Sequence, residues 1–394
     1  MTCSYEEAFS QYEEDGFDVV IGNPPYGAEL NNEERKYLDD KYHLNNTDTA
    51  CLFIGQALRI LKKDGFIGYI IPKPFIYASN WEAIRKEVLN ILREIVDCGK
   101  VWKEVKLEQT ILILDLQKNL SQYKSSIRKD KEIKTIGYIQ KSTFYKFGFY
   151  LNGISEEELK VGKKILNIGS FLNDYCINRR GSMHQKEITD NPSDFKVLGG
   201  KQINRYYLTD NIKGYISKEN IQDEKAYINE NSILVQNIVA HIENPTPHIK
   251  IIGTIPKNID REKYIILDTV NQLINVSDVK SEIILGILNS KLISWYAYGF
   301  IFGFAIRTMH FDNSVTSKIP MPKREILTSN NATPLTSLVD QMLESQKLYH
   351  NAKTENDKKV YKQKIEIIDK QIDNLVYKLY DLTDEEIKII ENTK

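Results

Sequence analysis

Cysteine and histidine are scarce and scattered. The 394 residues hold 4 cysteines (Cys3, Cys51, Cys98 and Cys176) and 6 histidines, and neither set shows metal-ligand spacing. That argues against a zinc site or a disulfide framework and fits the reduced thiols of a cytoplasmic protein. No run approaches the roughly 18 apolar residues of a membrane span, and the first residues lack a basic-then-apolar signal pattern. Neither sign of charge dominates: 53 Lys+Arg stand against 54 Asp+Glu. A chain that is basic throughout is excluded, so any nucleic-acid surface must be a local patch. A glycine-rich turn that follows a strand and opens a helix is also missing; "FIFGFAIR" lacks that context. With 41% hydrophobic and 27% charged residues, the composition fits a soluble globular protein of two or three domains.

What the chain does have is "DGFDVVIGNPPYGAEL" near its start. Phe17, Val19, Val20 and Ile21 form a short apolar run that suits a strand covered on both faces. Pro24 and Pro25 end it, because neither has an N–H and both have fixed φ. Pro24 also biases Asn23 toward extended geometry. The Asn23 amide oxygen and the Pro24 carbonyl are both acceptors, and two convergent acceptors take both hydrogens of an amino group. The flat ring of Tyr26 stacks on a planar molecule carrying that amine. N-P and P-P dipeptides also mark ordinary turns, but here they close a buried strand, where open α/β sheets bind ligands.

The string "FDVVIGNPPYG" resembles the catalytic motif of amino-methyltransferases dependent on S-adenosylmethionine, especially the adenine-specific DNA methyltransferases. The resemblance implies that Asn23, Pro24, Pro25 and Tyr26 form the catalytic motif. Asn23 and Pro24 would hold the adenine amine, and Tyr26 would stack on a base flipped out of the duplex. The motif alone also occurs in enzymes that methylate protein glutamine or ribosomal RNA.

The following elements alternate. Asp48 or Thr47 caps a helix with Cys51, Ile54, Leu58 and Leu61 on one stripe, widened by Phe53 and Ala57. "KKDG" ends it at Gly65, "FIGYIIP" is a buried strand, and a second helix is expected from about Asn80 to Arg93. "EIVDC" and "TILILDL" read as two more strands, giving an α/β sheet. The order is similar to the second half of a Rossmann-like methyltransferase. In that family an aromatic before the last hairpin helps to sandwich the flipped base, and Trp102 stands at its place. The family's cofactor-binding half precedes the catalytic motif. No residue of this chain beyond the edge of that motif is assigned to S-adenosylmethionine. The expectation is therefore a distal catalytic portion that needs a partner polypeptide or a preceding segment. No metal is expected.

Residues 118–136 are polar and charged, and 121–139 read as a linker or an exposed hairpin. From 140 to 330 the pattern turns to short β-rich pieces, followed by "EIILGILNSKLISWYAYGF" as one apolar helix. "VLGGKQINRYYL", "DTVNQLI", "LGILNSKLISWY" and "SKIPMPK" resemble the TaqI-like C-terminal specificity domain of restriction–modification methylases. That implies a double-stranded DNA partner and weighs against the protein and ribosomal-RNA readings. Arg179, Arg180, Lys201, Gln202, Arg205, Gln236, Asn237 and His241 are candidates for DNA contact, several of them to phosphates only. Arg307 and His310 are weaker candidates for the same cleft.

Residues 331–394 are expected to be helical, with Leu335, Leu338, Val339 and Met342 on one stripe and Tyr361, Ile365, Ile368, Ile372, Leu375 and Leu379 on another. Thr383 and Glu386 are spaced as a capping box. The sequence thus points to α/β followed by α+β architecture: a catalytic portion over 1–120, the linker, a recognition domain over 140–330 and C-terminal helices. Two functions remain open: adenine methylation in a restriction–modification or phage-defence system, or a non-catalytic DNA-specificity subunit or truncated remnant.

Overall fold

The structure is a computed structural model that describes residues 16–25, 27, 30–42, 48–102, 107–117, 119–257, 259–306 and 309–392. The chain forms two compact units. One comprises Met1–Glu156 with Gly299–Arg307, the other Glu157–Tyr298 with Thr308–Lys394.

Among the described residues the first unit is built on six strands: β1 (Phe17–Gly22), β2 (Leu61–Pro72), β3 (Leu92–Gly99), β4 (Gln109–Asp115), β5 (Gln122–Lys129) and β6 (Glu132–Gln140). Their order in the sheet is β1-β2-β4-β3-β5-β6. β1 runs parallel to β2, and β4 runs antiparallel to both β2 and β3. The ends of β1, β2 and β3 and the start of β4 therefore lie at one end of the sheet. Its core is aliphatic: Ile67, Ile71, Ile95, Leu112 and Leu114 are fully buried. Each such side chain stabilises the fold by roughly 1.5–3 kcal/mol as an upper estimate.

Helix α1 (Asn32–Tyr42) precedes α2 (Thr49–Ile60), which packs on β2 through Ala50, Cys51, Ile54 and Ala57. Asp48 is the N-cap, accepting from the Ala50 amide at 3.0 Å, while Thr47 lies outside the described residues. Phe53, expected on the buried stripe, is exposed.

The "KKDG" segment differs from the expected helix stop. The helix ends at Ile60, and Leu61 through Gly65 already belong to β2. Phe17 pairs with Leu61 but Val19 pairs with Phe66, so these residues form a bulge opposite Asp18. A side chain at Gly65 would come within 3.1 Å of the Phe17 carbonyl, so glycine serves close strand approach here. The second helix is also shorter than expected: α3 is Glu82–Val88, flanked by tight turns at Ser79–Trp81 and Leu89–Ile91.

Of the two readings of the charged stretch, linker or exposed hairpin, the structure has the hairpin, β5 and β6, and it extends the sheet. Tyr123, Ser125 and Ser126 face inward while β6 keeps most residues in solvent. An antiparallel strand with one wet face reads as polar in sequence.

At the other side the sheet order ends on β1 among the described residues. Val19 is 56% and Ile21 82% exposed. The run expected to be covered on both faces is open on one.

The second unit contains a four-stranded sheet, a three-stranded sheet and several helices. The apolar stretch expected as one helix breaks at Asn289–Ser290 into Ser281–Leu288 and Lys291–Phe300. Asn289 causes the break by exchanging two hydrogen bonds with Gly253, Gly253 N to Asn289 Oδ1 at 3.0 Å and Asn289 Nδ2 to Gly253 O at 2.9 Å. Near the end, Thr333–Asn351 and Glu355–Leu379 are helices packed on each other, followed by Asp384–Asn392. The capping box is present: Thr383 N donates to Glu386 Oε2 at 2.8 Å and Glu386 N to Thr383 Oγ1 at 3.3 Å.

Asp373 in that long helix accepts from the Lys291 amide at 2.9 Å. Burial pushes its carboxyl up to about 6, against the opposing pull of that hydrogen bond. Because the folded value lies above the ordinary 3.8, the folded state holds the proton more tightly. This contribution is full below about pH 4 and is lost as pH rises to about 6. Asp373→Asn should raise the melting temperature at neutral pH and flatten its pH dependence across that window. Calorimetry at several pH values checks this; an unaltered profile would exclude Asp373 as the source.

Among the described residues no helix is long and apolar enough to cross a membrane, and no group of three or more His, Cys, Asp or Glu side chains could hold a metal ion.

Candidate active site and recognition surface

The turn after β1 is rigid for reasons visible residue by residue. Gly22 still pairs with Tyr69, and Asn23 then leaves the ladder. Pro24 is buried, Pro25 exposed. The Pro25 carbonyl accepts from Thr49 Oγ1 at 2.6 Å, which ties the turn to the first residue of α2. The Asn23 side chain is exposed and makes no hydrogen bond among the described residues. Tyr26 lies outside the described residues.

Trp102 is half-buried in the loop between β3 and β4, at the same end of the sheet. The loop is braced where it is described: the Val101 amide donates to Gln109 Oε1 at 2.9 Å. Residues 103–106 lie outside the described residues.

Beneath this end sits a buried cluster that the sequence reading missed. Lys73 follows Pro72 directly and is 2% exposed. Its ammonium donates to Asp97 Oδ2 at 2.7 Å, Glu108 Oε1 at 3.1 Å and the Phe304 carbonyl at 2.9 Å. Burial pushes Lys73 toward neutrality, but Asp97 and Glu108 more than reverse this, and its pKa is raised. Removing one partner of such a buried set typically costs about 3–5 kcal/mol.

The three described cysteines are not activated thiols. Cys51, Cys98 and Cys176 are buried and unpaired with one another, and burial pushes their thiols up to about 12, 11 and 12. Cys3 lies outside the described residues.

In the second unit the DNA-contact candidates fall into distinct settings. Arg179 and Arg180 end the strand Cys176–Arg180, at the edge of the four-stranded sheet, and both are exposed. Arg180 Nε donates to the Asp268 carbonyl at 2.6 Å, and its guanidinium also reaches Asp268 Oδ2 at 3.2 Å. Gln185 Nε2 joins Asp268 Oδ1 at 3.2 Å, and Lys213 Nζ in turn donates to Gln185. The result is an exposed network of Arg, Gln and Lys donors. Met183, 82% exposed, stands beside it in sequence. Lys201 is exposed.

The remaining candidates are engaged within the fold. The Gln202 Oε1 accepts from the Gly199 amide at 3.0 Å, and Gln236 Nε2 donates to the Ile203 carbonyl at 2.7 Å. Arg205 donates to the Asn289 carbonyl at 2.8 Å and to Asp369 Oδ1 at 2.6 Å. Asn237 is buried, with its Nδ2 3.2 Å from His310 Nδ1. His241 Nε2 is 3.2 Å from the Tyr298 hydroxyl. Arg307 lies outside the described residues.

Gly181 fixes the exposed arginines. A side chain there would sit 2.4 Å from the Leu267 carbonyl oxygen and 2.7 Å from that of Ile266. Gly181→Ala should therefore destabilise the second unit by about 1–3 kcal/mol through backbone displacement. Thermal unfolding measures this; an unchanged melting temperature would show that the strand end yields freely.

Residues 2–102 match the family described as Eco57I restriction-modification methylase, and residues 195–321 match the TaqI-like C-terminal specificity domain. The Type II methyltransferase M.VspI of Vibrio sp. (strain 343) is 29% identical over 106 residues, 26% of this chain and 26% of that protein. A putative type II restriction enzyme and methyltransferase of Methanocaldococcus jannaschii is 25% identical over 308 residues, 73% of this chain and 25% of its own length. The chain thus spans about a quarter of these curated relatives. In fold it is similar to the Type IIL restriction-modification enzyme MmeI solved in complex with DNA, with a TM-score of 0.59 at 11% identity, covering 94% of this chain and 56% of that one.

Proposed function

We propose that this restriction–modification methyltransferase-like chain is the distal part of a sequence-specific DNA adenine methyltransferase. The observation that carries this reading is the turn Asn23–Pro25, anchored through the Pro25 carbonyl with the Asn23 side chain exposed, at the same sheet end as the Trp102 loop. Asn23 Oδ1 and the Pro24 carbonyl accept the two hydrogens of the target amine. Tyr26 and Trp102 hold the base, which must leave the duplex to reach them. S-Adenosylmethionine supplies a sulfonium-bound methyl group, an electrophile that needs no metal for its activation. The chain's own contribution is positioning: it aims the amine lone pair along the line of displacement and excludes competing orientations.

In this reading no residue of the chain beyond the edge at Gly22–Asn23 is assigned to the cofactor. We read the six described strands of the first unit as the second half of a Rossmann-like methyltransferase sheet, which among the described residues ends on β1 with Val19 and Ile21 exposed. A polypeptide segment that continues the sheet past β1 would carry the cofactor site. The second unit would recognise duplex DNA through the Arg179–Arg180 edge and Lys201, with a cytoplasmic location suited to its free thiols.

Incubating the complete enzyme with methyl-labelled S-adenosylmethionine and duplex DNA should place label on adenine at one sequence. Label on cytosine, or on protein but not DNA, would overturn the reading. The exposed side of β1, where the sheet ends among the described residues, also admits a second reading, a non-catalytic DNA-specificity subunit. That subunit would bind duplex DNA while its partner retained methyl transfer after Asn23→Ala.

A further inference from the structure

The Lys73 cluster is placed where it can govern the loop that carries Trp102. Both carboxylates use both oxygens. Asp97 Oδ2 takes the Lys73 ammonium at 2.7 Å, and Asp97 Oδ1 accepts the Gly99 amide at 2.9 Å, where the chain leaves β3. Glu108 Oε1 takes the ammonium at 3.1 Å, and Glu108 Oε2 accepts the Ile306 amide at 2.8 Å. The Lys73 amide also donates to the Glu108 carbonyl at 2.9 Å, next to the start of β4. One buried ammonium thereby joins the exit and the re-entry of the loop.

It also holds a third strand of chain. Residues Gly299–Arg307 belong to the first unit although they come late in the sequence. Within this strap Gly303 and Phe304 are both left-handed, with φ of 54° and 57°. A bulky residue in that region is unfavourable and persists only where its surroundings fix it. Here the fixing bonds are Lys73 to the Phe304 carbonyl and Ile306 N–H to Glu108.

Filling the same volume with aliphatic side chains would avoid the desolvation of three charges. A buried, fully bonded charge cluster instead fixes one geometry against alternatives. We propose that Lys73, through Asp97 and Glu108, is a positioning residue that clamps the Trp102 loop and the Phe304–Ile306 strap, so that an incoming planar base meets an aromatic face already set in place. This rests on the reading of Trp102 as a base-stacking residue.

Hydrogen exchange on the full chain tests the clamp directly. Lys73→Met should speed exchange at the Gly99, Val101 and Ile306 amides at least tenfold and leave Ile95 and Leu112 protected. Lys73→Arg, which keeps the charge and donors, should restore part of the protection. If Lys73→Met does not fold, Glu108→Gln should still loosen Val101 and Ile306. Unchanged exchange at those amides in whichever variant folds, or equal loosening throughout the sheet, would overturn the proposal. In the complete enzyme, with 2-aminopurine replacing the adenine that it methylates, Lys73→Met should weaken the base-stacking fluorescence signal at unchanged DNA affinity. An unaltered signal there overturns the positioning role. If Trp102→Ala leaves that signal intact while Lys73→Met loosens the loop, the stacking role of Trp102 fails and the clamp stands.

Discussion

Replacing Asn23 with alanine is expected to lower methyl transfer by the complete enzyme by about a hundred-fold to a thousand-fold, with DNA affinity changed less than about two-fold. The Asn23 side chain is exposed and bonds nothing else among the described residues, so its loss leaves packing intact. What disappears is one of two acceptors for the amine. The amine then keeps a hydrogen pointed at no partner, its lone pair is less available, and its orientation toward the methyl group is less defined. Because the lost interaction strengthens as the amine becomes positively charged in the transition state, the effect should fall on kcat rather than on KM. Asn23→Asp keeps an acceptor of the same shape but adds a charge, and should retain more activity than Asn23→Ala. Single-turnover transfer of labelled methyl groups at saturating DNA reads this. Full activity in Asn23→Ala would remove the amine-holding role from this turn.

The turn was legible because proline chemistry is local. Two adjacent residues without N–H groups cannot both carry a ladder onward, and β1 does end at Gly22. The succession of β1, α2, β2, β3 and β4 was legible for the same reason: each carries its own periodicity. What escaped were features set by distant partners. "KKDG" is a strand bulge because β1 lies beside it, with the Phe17 carbonyl against Gly65. That the hairpin at 121–139 would extend the main sheet depends on the edge that β3 offers β5. Asn289 broke a helix because Gly253 met it. Lys73 has partners 24, 35 and 231 positions away, and no window of sequence could reveal them together. Arg205 likewise looked like a free cation in "NRYY", and its ion pair with Asp369 is 164 positions distant.

The sheet ends on β1 among the described residues, and this edge leads to the other large expected effect. Along β1, Val19 and Ile21 present apolar side chains to solvent, at 56% and 82% exposure. An edge of this kind, without a charge on its open face, favours association with another strand. Asp18 does not guard it, because its carboxylate is paired with Lys62 at 2.9 Å. Burying two such side chains is worth roughly 1.5–3 kcal/mol each, before the gain from pairing backbone groups. The chain alone is therefore expected to self-associate with rising concentration, while Val19→Lys together with Ile21→Lys should hold it monomeric. A strand can add to this edge only if its neighbour's apolar face meets β1. The same double substitution should then abolish S-adenosylmethionine binding when the chain is combined with a polypeptide carrying the cofactor site. Light scattering after size-exclusion chromatography reads the first effect, and calorimetric titration of the combined proteins reads the second. A monomer with the wild-type edge, its Val19–Ile21 amides protected from exchange without any partner, would mean that the chain covers β1 itself.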